Sequence, residues 1–193
     1  MGVSLVAYFA AVLARTDGGW DVSETELDAV ETLADLADLA RESAQDDDSV
    51  LIFIEQEDAW FAVVRVDGED DPRIFVSDGA AAARSSYGSV LTDELIDSEE
   101  FDDLDALVAD VEDDDEESGF DGAAAGSDDA DEDEADGPLG AQAGPLGDSD
   151  LLTDFGLAAR ELLALAAAGA VPGDALAEIA DALGAGEVLE AVR

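Results

Sequence analysis

The placement of acidic residues constrains this chain more than any other feature. Residues 92–150 contain 25 Asp and Glu and no basic residue, whereas the segments on either side hold all seven Arg. Uncompensated charges repel one another, and such a run has too little apolar surface to offset the entropy of ordering. The sequence therefore predicts two folded segments, residues 1–91 and 151–193, joined by a disordered acidic linker over residues 92–150.

The composition excludes several classes of chemistry. The 193-residue chain has no Cys, His or Lys, so disulfides, thiolate zinc sites, Schiff bases and His-dependent catalytic triads are ruled out. Its net charge of −45 repels phosphate, which argues against direct binding to nucleic acid or an anionic membrane and favours a basic partner. The acidity is equally explained by the composition of a salt-adapted or GC-rich proteome, and the sequence does not separate these explanations.

The N-terminal segment has the pattern of a small antiparallel sheet with helices. Its apolar run at residues 3–14 lacks the preceding basic residues of a secretory signal and is too short to span a bilayer, so we interpret it as a buried strand of a cytoplasmic protein. The order β-β-α-β-β-β-α predicts an α+β fold with helices on one face of the sheet. The predicted strands are residues 5–14, 20–22, 50–54, 60–66 and 73–76, and the predicted helices are residues 27–44 and 79–90.

The C-terminal segment predicts a short helical hairpin. Residues 151–167 are rich in Ala and Leu, residues 175–183 have apolar side chains at helical spacing, and residues 187–192 add a last turn or two. About 43 residues are close to the lower limit for independent stability. The segment therefore needs a surface to dock on, and the sequence leaves open whether the N-terminal segment provides it.

One stretch of the N-terminal segment is a candidate partner-binding site. On a continuous helix over residues 79–90, Arg84 and Tyr87 would share a face, and Arg65 and Arg73 on adjacent strands would complete a basic spot. Such a group could donate hydrogen bonds to a carboxylate or phosphate. The alternative is that each Arg pairs with neighbouring acids and that Tyr87 packs on the sheet. The candidate residues are Arg65, Arg73, Asp78, Arg84, Ser85, Ser86 and Tyr87.

The acidic linker does not predict a specific metal site. An EF-hand frame beginning at Glu132 places Glu134, Asp136 and Gly137 in register, but its twelfth position is Ala143 where a Glu is needed. We therefore predict no metal ligand, no cofactor and no catalytic residue.

Four blocks of sequence stand out in the two predicted folded segments: residues 7–20 (AYFAAVLARTDGGW), 60–68 (WFAVVRVDG), 73–88 (RIFVSDGAAAARSSYG) and 172–184 (PGDALAEIADALG). Together, in this order, they resemble the tRNA adenosine deaminase-associated proteins of actinobacteria. The resemblance omits the linker. It implies an association with the zinc enzyme that makes inosine in tRNA, and no established site residues come with it.

These observations favour a non-catalytic accessory protein over an enzyme. A deaminase of that type needs His and Cys zinc ligands, which this chain lacks. The expected partner is the deaminase or another basic protein, contacted by the α+β domain with help from the linker. Two alternatives stay open: an acidic mimic of nucleic acid that inhibits a basic protein, and a carboxylate-based, metal-dependent hydrolase.

Overall fold

In the described part of the chain, six antiparallel strands form one sheet in the order β2-β1-β3-β4-β5-β6. A computed structural model of the chain describes residues 8–43, 49–97, 143–167 and 171–192. Strands β3 and β4 form the hairpin that the apolar runs predict, and β6 comes from beyond the acidic run to pair with β5. The strands are β1 Tyr8–Thr16, β2 Gly19–Glu24, β3 Ser49–Gln56, β4 Trp60–Asp67, β5 Arg73–Val76 and β6 Leu146–Gly147.

Both faces of the sheet are buried. Side chains alternate between the faces along a strand, so β3 sends Ile52 to one side and Phe53 to the other. We call the side of Val12, Ile52 and Val64 the first face, and the side of Leu13, Phe53 and Val63 the second face. Because both sides need cover, the central strands are continuous apolar runs.

Helices of the N-terminal segment cover the first face. They are α1 Leu33–Ser43, α2 Gly79–Ala83 and α3, which the structure describes over residues 86–97. The predicted helix over residues 27–44 begins too early, since Thr32 and Asp35 form a reciprocal cap at the start of α1. The hydrogen bond from the Thr32 side chain, together with the backbone N–H of Glu31, lowers the pKa of Asp35 below its ordinary value.

The predicted helix over residues 79–90 is two helices. Helix α2 ends at Ala83, and the Ser85 hydroxyl oxygen accepts a hydrogen bond from the Gly88 N–H at 2.9 Å, which caps the start of α3. A Cβ atom on Gly88 would lie 2.3 Å from the Ala82 carbonyl oxygen. This close approach holds α3 against the end of α2.

The C-terminal segment covers the second face. The predicted helix over residues 151–167 is wrong in its first half, because Leu151 and Leu152 are buried against the sheet and Gly156 adopts a left-handed φ of 99°. A 3-10 turn, Thr153–Phe155, precedes three helices. They are α4 Ala159–Leu165, α5 Pro172–Leu183 and α6 Gly186–Val192.

Trp20 ties the C-terminal helices to the edge of the sheet. Its indole N–H donates to the Leu183 carbonyl at 2.8 Å, and this carbonyl belongs to the last turn of α5, where no helical partner remains. The C-terminal segment thus docks on the N-terminal segment, which the sequence left open.

The α+β class and the antiparallel sheet are confirmed. Helices of the N-terminal segment lie on one face, as predicted, and the C-terminal helices add a third layer on the other. The range assigned to the linker contains structure at each end, with α3 running to residue 97 and β6 at Leu146–Gly147; residues 98–142 lie outside the described part. No helix of the described residues is long and apolar enough to cross a membrane.

Gly88→Ala should destabilise the protein by about 1–3 kcal/mol, because the added methyl overpacks the α2–α3 junction. Gly18→Ala is the matched control, since nothing lies within 4 Å of a Cβ at Gly18. Both changes stiffen the unfolded chain equally. Urea unfolding of the two variants measures the difference, and equal midpoints would contradict the packing described at this junction.

Candidate functional site

Arg65 is a buried cation that holds the segment entering the C-terminal layer. Strand β4 points it at the second face, where its side chain is only 9% exposed. Its Nη1 donates to the Leu151 carbonyl oxygen at 2.7 Å and lies 3.2 Å from Asp154 Oδ2. Its Nε lies 2.7 Å from Asp67 Oδ2, close enough for an ion pair although the N–H is not aligned for a hydrogen bond. The guanidinium is therefore committed to contacts within the fold.

Arg73, on the neighbouring strand β5, is half-buried and also pairs with the acid directly after β6. It lies directly opposite Arg65 in the β4–β5 register, so two cations share one face of the sheet. Its Nε and Nη2 each lie 2.6 Å from Asp148 Oδ2, and this hydrogen bond raises the pKa of Arg73 above its ordinary value. We call Arg65 and Arg73 with Asp67, Asp148 and Asp154 the arginine clasp.

Phe155 completes the contacts around the arginine clasp. The Cζ atoms of Arg65 and Arg15 lie 4.6 Å and 5.1 Å from its ring centroid, and Trp20 meets the ring edge-on at 5.4 Å. Cation–π contacts of this kind add stabilisation where the cation is partly desolvated. Three of the seven Arg residues thus position the return of the chain after the acidic run.

Two of the predicted site residues cap helices. Asp78 accepts a hydrogen bond from the Ala81 N–H at 2.8 Å at the start of α2. Ser85 is buried, donates to the Ala82 carbonyl oxygen and accepts from the Gly88 N–H. Their polar atoms are used in positioning α2 and α3.

Arg84, Ser86 and Tyr87 lie at the junction of α2 and α3. Arg84 and Ser86 are exposed, and within the described part of the chain no acidic side chain reaches ion-pair distance of Arg84. The Tyr87 hydroxyl donates to Asp28 Oδ1 at 3.4 Å, and its ring meets Tyr8 edge-on at 4.9 Å. Burial, with the Asp28 carboxylate as the second cause, raises the pKa of Tyr87.

The sheet separates the two halves of the predicted site. Arg65 and Arg73 face the C-terminal layer, whereas Tyr87 packs against the first face with α3. The structure therefore brings the two arginines together, as the sequence suggested, and keeps them away from Arg84 and Tyr87.

A small apolar cleft beside Tyr87 was missed by the sequence analysis. The cavity volume open to water-sized groups is about 10 Å³, far less than the roughly 300–1,000 Å³ typical of small-molecule sites. Leu27 and Val30 are apolar, which is a signal in the sequence, but their helical spacing assigned them to the apolar side of the predicted helix over residues 27–44. The lining residues are Leu27, Val30, Leu36, Ile54, Tyr87, Val90 and Leu91.

The acidic side chains of the described residues do not converge on a metal-binding point. No group of three or more carboxylates that could hold an ion occurs within residues 8–43, 49–97, 143–167 and 171–192. The EF-hand frame at Glu132 lies outside these ranges. The described part of the chain thus offers the hydrolase alternative no assembled acidic centre.

A comparison with known protein families assigns the chain to one of them. The model of the Rv3753c-like tRNA adenosine deaminase-associated protein family matches residues 8–186. The chain belongs to this family. The match confirms the resemblance seen in the sequence, and it spans the strands of the sheet and the helices up to the start of α6. No curated protein and no solved structure gives a significant match.

Family membership gives a context of function without assigning a residue to it. The family is described as associated with tRNA adenosine deaminase. Within this family member, the arginine clasp is a structural feature, and the exposed polar groups of the predicted site are those at the α2–α3 junction.

Arg65→Met should lower the free energy of unfolding by about 2 kcal/mol, because the buried Leu151 carbonyl loses its charged donor. Arg160→Met is the matched control, since Arg160 is exposed on α4 and should change stability by less than about 0.5 kcal/mol. Urea unfolding with a fitted m-value gives both numbers. A loss no larger in Arg65→Met than in the control would mean that the arginine clasp does not hold the second face together.

Proposed function

We propose that this protein is a non-catalytic, cytoplasmic accessory protein that binds tRNA adenosine deaminase. The observation that carries the proposal is the family match over residues 8–186 in a chain without His or Cys. Zinc-dependent deamination needs these ligands, so the chain does not duplicate the chemistry of the enzyme with which its family is associated. Binding and positioning are the roles left to it.

Electrostatics supports a protein partner with a basic surface. An enzyme that acts on tRNA must present cations to the phosphate backbone, and a chain with net charge −45 is attracted to such a surface. The same charge repels tRNA itself. Association should therefore be fast and should weaken as salt screens the attraction.

The acidic run contributes steering to this interaction rather than a specific contact. Its 25 acids carry no compensating base, so their attraction for a cationic surface is long-ranged and insensitive to register. The acidic run also supports a second candidate function, a nucleic-acid mimic that inhibits a basic protein, because spaced carboxylates can occupy phosphate sites.

Replacing residues 98–142 with a neutral Gly/Ser segment of equal length separates these two functions. Residues 92–97 and 143–150 stay, because they include the end of α3 and strand β6. The accessory function predicts that this variant still binds the deaminase of the same genome, more weakly and with a shallower dependence on salt. The mimic predicts that binding is abolished.

Binding is measured by titration calorimetry at low and at raised salt. The unmodified protein should bind, with an affinity that falls as salt increases. Absence of binding to the deaminase at low salt would overturn the proposed function.

A further inference from the structure

The apolar cleft lies at the surface between α3 and the segment before α1. Its floor is closed by fully buried side chains, whereas Val30, Tyr87 and Val90 at its mouth are half-buried. Its lining is almost entirely carbon. The Tyr87 ring is fixed as one wall by its hydroxyl bond to Asp28 and by its contact with Tyr8. The space inside the cleft is about the size of one water molecule or methyl group, so it can take only the tip of an inserted side chain.

Acidic side chains flank the cleft along both elements that form its mouth. Glu26, Asp28 and Glu31 are exposed and alternate with the lining residues Leu27 and Val30.

On α3, Asp93 and Glu94 are exposed and follow Val90 by three and four positions, which is one helical turn. No basic residue occurs between Arg15 and Arg41, so the first of these elements is uncompensated along the chain. An apolar cleft with an acidic rim is complementary to an apolar anchor carried between cationic side chains.

We propose that this cleft docks a basic segment of a partner protein, which seats the tip of one aliphatic side chain between Val30, Tyr87 and Val90. Lys or Arg residues beside that anchor then pair with the acids of the rim. The proposal rests on the proposed function in that the natural partner is the deaminase. A phosphate-bearing ligand does not fit, because the rim would repel it.

The test uses one substitution at two positions of the full-length protein. Val90→Lys places a long cationic side chain at the mouth of the cleft. Val188→Lys makes the same change at a 36% exposed valine of α6, in the layer on the opposite face of the sheet. Both variants change the net charge equally, so long-range steering is matched between them. Thermal unfolding by circular dichroism shows that both are folded.

With the deaminase as ligand, Val90→Lys should weaken binding at least about tenfold, as loss of an interface anchor does, and Val188→Lys should stay within about twofold of the unmodified protein. Hydrogen exchange on the unmodified complex provides a readout without mutation. Protection should rise in residues 26–31 and 86–97. Full binding by Val90→Lys, with protection elsewhere, would overturn the docking site while leaving the proposed function intact.

A second ligand decides the docking site even if the deaminase does not bind. The probe is a synthetic peptide with a single Leu between Lys pairs, and its control replaces that Leu with Ala at the same charge. The proposal predicts that the Leu peptide binds more tightly and that Val90→Lys abolishes this advantage. Equal binding of the two peptides would overturn it, and that result is also expected if the chain's own residues 1–7, which lead into Tyr8, occupy the cleft.

Discussion

The arrangement of this fold depends on the contacts that the buried Arg65 guanidinium makes with the returning chain. The sheet has two apolar faces, and helices of the N-terminal segment cover only the first. Cover for the second face comes from residues that lie beyond the acidic run of residues 92–150 in the sequence. The bond from Arg65 to the Leu151 carbonyl, with its ion pairs to Asp67 and Asp154, fixes where the returning chain meets the sheet.

Because these arginines are used in contacts within the fold, they also affect the charge of the outer surface. Arg15, Arg65 and Arg73 are used around Phe155 and Asp148, so few cations remain to offset the acids that face solvent. Of these three, Arg65 is buried, and burying a cation is costly unless it is paired and hydrogen-bonded, as Arg65 is here. The described surface is therefore mostly acidic, and such a surface is electrostatically complementary to a basic one.

Strands β1 to β5 could be predicted from sequence because continuous apolar runs and the turn at residues 16–19 are local signals, whereas β6 lies in the range assigned to the linker. The errors in helix boundaries come from local caps. Thr32 and Asp35 make α1 begin at Leu33, later than predicted, and the Ser85 cap divides the predicted helix over residues 79–90 into two. Docking of the C-terminal segment could not be predicted, because it depends on pairs such as Arg65 with Leu151 and Trp20 with Leu183, far apart in sequence. The cleft was missed for a related reason, since its walls come from elements that only the fold brings together.

Pulsed hydrogen exchange of the unmodified protein in increasing urea tests most directly whether the two ends form one fold. Peptides from β3 report the sheet, and peptides from α5 report the layer held by the arginine clasp and Trp20. If the two segments form one cooperative unit, both sets of peptides lose protection at the same urea concentration. Loss of protection in α5 at a lower concentration, with β3 still protected, would contradict this and show the C-terminal layer to be a separate unit.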